Sequence, residues 1–147
     1  ADTDNNASTQ EQAVVIIPQE KLEFMPNSTD YKSEAQAELV LNDVAGKMLS
    51  DCNYLIVGLT ARIGEATNTE TASTLSKNRA NEAQEELLSR GFSPEQLTAV
   101  GLGSTDSPLR SPMEENNRAV YILDRDSEIA LEILEIYANL CSSRSTP

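Results

Sequence analysis

The sequence predicts an α/β fold, a two-layer sandwich in which helices cover a mixed β-sheet. Three observations predict it. Apolar runs of strand length stand at 54–58, 97–103 and 117–123, apolar residues recur at helical spacing over 33–49, 73–90 and 128–141, and the two kinds of segment alternate through most of the chain. At 147 residues the chain has the length of one domain, enough to bury about two-thirds of the surface its unfolded form exposes. The order strand, helix, strand, helix, strand, strand, helix has too few alternating units for a doubly wound nucleotide fold.

Residues 1–12, ADTDNNASTQEQ, hold no apolar residue larger than Ala and no basic residue, so they carry neither part of a signal peptide. They are expected to be a flexible tether, left when a leader or anchoring segment is removed. A domain is expected over 13–125, with 126–147 as a C-terminal helix and tail packed on it. AVVII at 13–17, ended by Pro18, and KLEFM at 21–25, ended by Pro26, predict an irregular first strand. From Ser33 to Leu49, residues Ala35, Ala37, Leu39 or Val40, Val44 and Met48 are spaced as one face of a helix. YLIVG at 54–58 is a continuous apolar run, the pattern of a strand buried on both faces. Residues 59–72 read as a polar loop. From Ser73, residues Leu75, Ala80, Ala83, Leu87 and Leu88 mark a helix that closes at Arg90-Gly91, where glycine takes the left-handed turn after a helix without strain. Ser93-Pro94-Glu95 is a turn, LTAVGLG at 97–103 a third strand, and NRAVYIL at 117–123 the last strand. Ile129, Ile133, Ile136, Tyr137 and Leu140 form the stripe of a terminal helix over about 128–141, which is expected to pack back on its own sheet.

Composition removes several classes of function. With 24 carboxylates against 11 Lys and Arg the formal charge is −13, a field that repels polyphosphates, so no nucleic-acid partner is expected. No apolar run approaches the roughly 20 residues of a membrane helix. There is no histidine, which removes Ser-His-Asp and Cys-His catalysis and His-ligated metals. Among 24 acids a close carboxylate pair arises by chance, and no spacing marks one as a glycosidase pair. Gly101-Leu102-Gly103-Ser104 is not a phosphate cradle, and Asp124, Asp126 and Glu128 lack the glycine and spacing of a calcium loop. No catalytic residue, metal or cofactor is therefore predicted. Cys52 and Cys141 lie 89 residues apart, which excludes a CxxC motif and leaves two alternatives, a long-range disulfide or two thiols.

The segments YLIVGLTARIG, LSKNRANEAQEELLSRGFSPEQLTAVGLGSTDSP and NNRAVYIL occur in order at intervals that resemble the OmpA-like (OmpA/MotB C-terminal) peptidoglycan-binding family, over about residues 20–124. That family's pattern is an apolar strand into GHTD, a loop, LSxxRAxxVxxxL with a GI turn, a strand ending in GxG, and a final NRRVE strand. Leu75-Ser76 and Arg79-Ala80 match the helix motif, Gly91-Phe92 the turn, Gly101 and Gly103 the strand end, and Asn117-Arg118 the last strand. The resemblance implies a β-α-β-α-β-β core, here with an extra C-terminal helix. It also implies an extracytoplasmic place in the cell envelope, periplasm or wall, anchored through the removed N-terminal segment.

The resemblance further implies a non-enzymatic site for the zwitterionic end of the diaminopimelate side chain of peptidoglycan. In it the GHTD Asp pairs with the ammonium and the helix Arg with the carboxylate, to which a guanidinium offers two parallel donors. Arg79 stands at the helix Arg, but the loop reads Gly58-Leu59-Thr60-Ala61, so Ala61 replaces the Asp and Leu59 the His. Ala72 replaces the family's Asn and Ala119 its second Arg. An ammonium left unpaired costs about 1–3 kcal/mol. The implied ligand-binding set is Arg79, Thr60, Ala61, Asn117 and Arg118, with Glu65 or Glu70 of the lengthened loop as a substitute carboxylate. Two functions follow: a peptidoglycan-binding module with a remodelled pocket, or a degenerate scaffold that binds a protein partner or spaces other domains. On the residues alone, Arg79 also reads as a surface arginine paired with Glu82 at i+3.

Overall fold

The computed structural model describes residues 22–49, 51–62, 65 and 68–145. The expected tether at 1–12 and the apolar run at 13–17 lie outside the described residues. The elements are β1 (Leu22–Glu23), α1 (Glu34–Lys47), β2 (Tyr54–Gly58), α2 (Thr69–Ser89), β3 (Leu97–Gly101), β4 (Ala119–Asp124) and α3 (Glu128–Ser145).

The strands form one mixed sheet in the order β1-β4-β2-β3. β2 pairs parallel with β3, Tyr54 opposite Leu97 through Gly58 opposite Gly101, and antiparallel with β4, Tyr54 opposite Asp124 through Gly58 opposite Val120. β1 adds two antiparallel pairs at the far side of β4, Leu22 with Val120 and Glu23 with Ala119. Among the described residues it ends sooner than KLEFM predicts because the chain turns back after Met25, with Asn27 at φ 54, so that Phe24 bridges Tyr31 instead of extending the strand.

Both helices of the first layer are capped by their sequence. Ser33 Oγ accepts from Gln36 N at 3.2 Å to open α1, and Asn68 Oδ1 accepts from Thr71 N at 2.7 Å to open α2. α2 therefore starts at Thr69, four residues before the first helix-spaced apolar residues near Ser73. It ends as Arg90-Gly91 predicts: Gly91 has φ 104, its N–H donates to Leu88 O, and Phe92 N–H donates to Leu87 O.

Alternation along the strands separates two cores. Tyr54, Ile56, Val120 and Ile122 face Val40, Leu41 and Val44 of α1 and Ala80, Ala83 and Leu87 of α2. Leu55, Val57, Val100, Tyr121 and Leu123 face the other way, where Ala130 and Ile133 of α3 cover them. The terminal helix thus packs on its own sheet, on the face opposite α1 and α2. A strand that is apolar at every position, as YLIVG is, requires cover on both sides. Asn117 and Arg118 fall just before β4, where Glu114–Asn117 forms a 3-10 turn.

Candidate functional site

Two glycines set how closely α2 approaches the sheet. A Cβ on Gly58 would stand 2.0 Å from the Ser76 carbonyl oxygen, and one on Gly101 2.4 Å from Lys77 N, so the helix backbone rides directly on the ends of β2 and β3. Ser76 Oγ accepts from Gly103 N at 2.9 Å and fixes the contact. One turn further along α2, Arg79 points to the place where the chain leaves β2.

There the guanidinium is wholly enclosed: the side chains of Arg79 and Glu65 are both 0% exposed. Nη1 donates to Glu65 Oε2 at 3.0 Å and to Leu59 O at 3.1 Å. Nη2 donates to Glu65 Oε1 at 2.8 Å and to Met25 O at 2.9 Å, and Nε to Ser28 O at 2.9 Å. All five donors are used. Phe24 lies beneath, its ring centre 5.5 Å from Cζ. The Glu65 carboxylate accepts two more bonds, from Asn27 N at 3.0 Å and Ala61 N at 2.7 Å, and Arg118 Nε stands 3.6 Å away. Burial pushes the Glu65 carboxyl up, while the bonds from Arg79, Asn27 and Ala61 and the Arg79 charge more than offset it and hold it below its ordinary value.

This corrects the reading of Arg79 as a surface arginine paired with Glu82, since Glu82 instead lines a small cavity with Tyr31 and Glu86. Of the two loop acids, Glu65 sits on the arginine. Glu70 lies apart, in an open groove with Lys77 of α2 and Tyr137 of α3. Ala61 lends only its N–H to the pair.

Thr60 and Asn117 belong to an adjoining network. Thr60 O accepts from Arg110 Nη2 at 2.8 Å, and Arg110 Nη2 also donates to Glu114 Oε1 at 2.8 Å. Glu114 accepts as well from Arg62 N at 2.9 Å, Arg62 Nη1 at 3.1 Å and Asn117 Nδ2 at 3.4 Å. Chiefly through the Arg62 N–H, and against a partial desolvation, its carboxyl is lowered to about 2. Arg62 also pairs with Asp106. Asn117 is buried and clamps Ser111 through two bonds, so it shapes this loop without touching the Arg79–Glu65 pair. Cys52 is a half-buried free thiol, so the bridge to Cys141 is not made at Cys52 in this structure; the side chain of Cys141 lies outside the described residues.

The roles of Arg62, Arg110 and Glu114 escape a motif search, although Arg110 and Glu114 stand at i, i+4. The contributions of Met25, Asn27 and Ser28 are backbone atoms with no sequence signature. Chemically, a guanidinium fork and two backbone N–H groups converge on the two oxygens of the Glu65 carboxylate. Among the described residues there is no group of His, Cys, Asp and Glu able to hold a metal, and no helix long and apolar enough to cross a membrane.

A family model described as the OmpA family matches residues 23–120. No curated protein matches by sequence. Among solved structures, the peptidoglycan-associated lipoprotein from Burkholderia pseudomallei aligns with TM-score 0.60 and 20% identity over 74% of this chain and 92% of its own. The C-terminal domain of Helicobacter pylori MotB aligns with TM-score 0.57 and 22% identity over 84% and 96%. The OmpA-like domain of FopA1 from Francisella tularensis gives 0.57 and 15% over 69% and 68%. At these identities the likeness is one of fold.

Proposed function

The chain belongs to the OmpA family, and on that premise we propose that it is a non-enzymatic, peptidoglycan-binding module of the extracytoplasmic cell envelope whose stem-peptide receptor is held shut by its own Glu65. The observation that carries this reading is the bidentate Arg79–Glu65 pair, closed to solvent on both sides. Arg79 stands at the family's carboxylate-binding position, and Glu65 fills the position of the carboxylate. A wall peptide must displace it. A carboxylate tethered to the same chain competes at high effective concentration, so the closed form binds weakly and release of Glu65 sets the affinity. That the structural relative from Burkholderia is a peptidoglycan-associated lipoprotein supports the partner class.

Co-sedimentation with insoluble peptidoglycan sacculi tests the proposal. The wild-type chain is expected to stay mostly in the supernatant, Glu65→Ala to pellet with the wall, and Glu65→Ala/Arg79→Met to return to the supernatant. A second reading, a degenerate scaffold serving a protein partner or spacing, is favoured by Ala61, which brings no carboxylate for an ammonium. Folded Glu65→Ala that leaves sacculi untouched would establish that second reading and overturn the first.

A further inference from the structure

We infer that the Arg79 receptor, when Glu65 leaves it, takes a carboxylate that bears no free ammonium, such as an acylated amino acid or a peptide C-terminus, and discriminates against zwitterions. The inference rests on reading this site as a receptor and concerns which carboxylate it accepts.

Glu65 itself is the template. Its carboxylate sits on an alkyl stem, and what surrounds its oxygens is donors: the two Nη groups of Arg79, the N–H of Asn27, the N–H of Ala61 and, at 3.6 Å, Arg118 Nε. An ammonium entering beside such a carboxylate needs an anionic acceptor, and the neighbouring Thr60 Oγ1, buried without a partner, is neutral. The carbonyls of Met25, Ser28 and Leu59 each accept from Arg79. Glu114 is held by Arg62, Arg110 and Asn117. Ala61, at the position of the family pattern's Asp, brings no carboxylate.

The local field has the same sign. Among the described side chains, Arg62, Arg79, Arg110 and Arg118 gather at this end of the sheet against Glu65, Asp106 and Glu114, an excess of one positive charge on a chain whose formal charge is −13. Displacing Glu65 raises that excess further. Such a mouth attracts anions and repels a second cation.

Acetate and glycine differ by one ammonium at nearly equal size, which makes them the test pair. The full 147-residue Glu65→Ala chain is titrated with each, reading the thermal midpoint, with chloride at matched ionic strength as control. Acetate is expected to raise the midpoint with a half-saturating concentration at least tenfold below that of glycine. Chloride is expected to do nothing, and the wild-type chain to respond to none of the three. Adding Ala61→Asp to Glu65→Ala should shift the preference towards glycine, a reversal that general stabilisation by salt cannot produce. If Glu65→Ala does not fold, Glu65→Ser, too short to reach the Arg79 guanidinium, serves as the host, with the same order of preference expected. Equal responses to acetate and glycine, or a chloride response matching that of acetate, overturn the inference. Failure of sacculus binding with the acetate preference intact refutes the wall as partner and leaves the ligand class standing.

Discussion

Truncating either member of the Arg79–Glu65 pair should be among the costliest changes in the chain, and the two costs should be unequal. Breaking a buried, hydrogen-bonded ion pair from one side costs about 3–5 kcal/mol, because the other charge is left in a medium of low polarizability. Glu65→Ala leaves Arg79 with the carbonyls of Met25, Ser28 and Leu59, so its charge keeps three of five bonds. That variant belongs near about 3 kcal/mol. Arg79→Met strands the Glu65 carboxylate on two N–H groups, leaves three carbonyls without their donor and removes the cation beneath which Phe24 lies. It belongs near about 5 kcal/mol. The double variant removes both charges together and should fall short of the sum by about 2 kcal/mol, well outside the roughly 0.5 kcal/mol within which independent sites add. Denaturant unfolding at neutral pH measures all three, and the differences should be insensitive to salt because the pair is shielded from it. Additive costs, or a Glu65→Ala variant less stable than Arg79→Met, would refute the assignment of the burial energy to this pair.

Acid should destabilise the fold through carboxyls whose folded pKa is depressed. Glu65 is lowered and Glu114 is brought to about 2, so the unfolded chain takes up protons first. Stability is then complete above the ordinary carboxylate range and lost as pH falls towards about 2. Thermal midpoints between pH 7 and 2 test this, and Glu114→Gln should flatten the profile while a flat wild-type profile contradicts it. Gly58→Ala should cost about 3 kcal/mol or more in chemical denaturation, since its Cβ would meet backbone and not a yielding side chain. Ile133→Ala, at a fully buried contact between α3 and the sheet, should cost about 2–5 kcal/mol, against less than about 0.5 kcal/mol for Leu131→Ala, which is 56% exposed.

Much of the architecture was legible because its signals are local. The double-faced apolar run at Tyr54–Gly58, the glycine stop after Arg90 and the stripe of the terminal helix each need only a few neighbouring residues to be recognised. The start of α2 was missed because its first turn, Thr69-Glu70-Thr71, buries nothing; Asn68 as N-cap with Glu70 following was the available sign. The face taken by α3 was not legible, since a stripe states that a surface must be covered and not which one. Arg79 was found through its motif, and Glu65 was named as one of two loop acids. That Glu65 would lie on the arginine, and not across from it, depends on the path of a loop and on N–H groups of Asn27 and Ala61 that any residue but proline supplies.

The strand order β1-β4-β2-β3 places the last strand made between the first two. Leu22 finds its partner in Val120, almost a hundred residues later, and one edge of β2 waits for Ala119–Asp124. The sheet therefore cannot close progressively as the chain emerges from a ribosome or a translocation channel. Until residue 124 is free, β2 and β3 form at most a two-stranded parallel ribbon under α2, with an unpaired apolar edge. Contacts of such separation fold slowly and leave edges open to other chains. A premature end anywhere before β4 should remove cooperative folding altogether, and the sheet can be finished only after its final strand has been released.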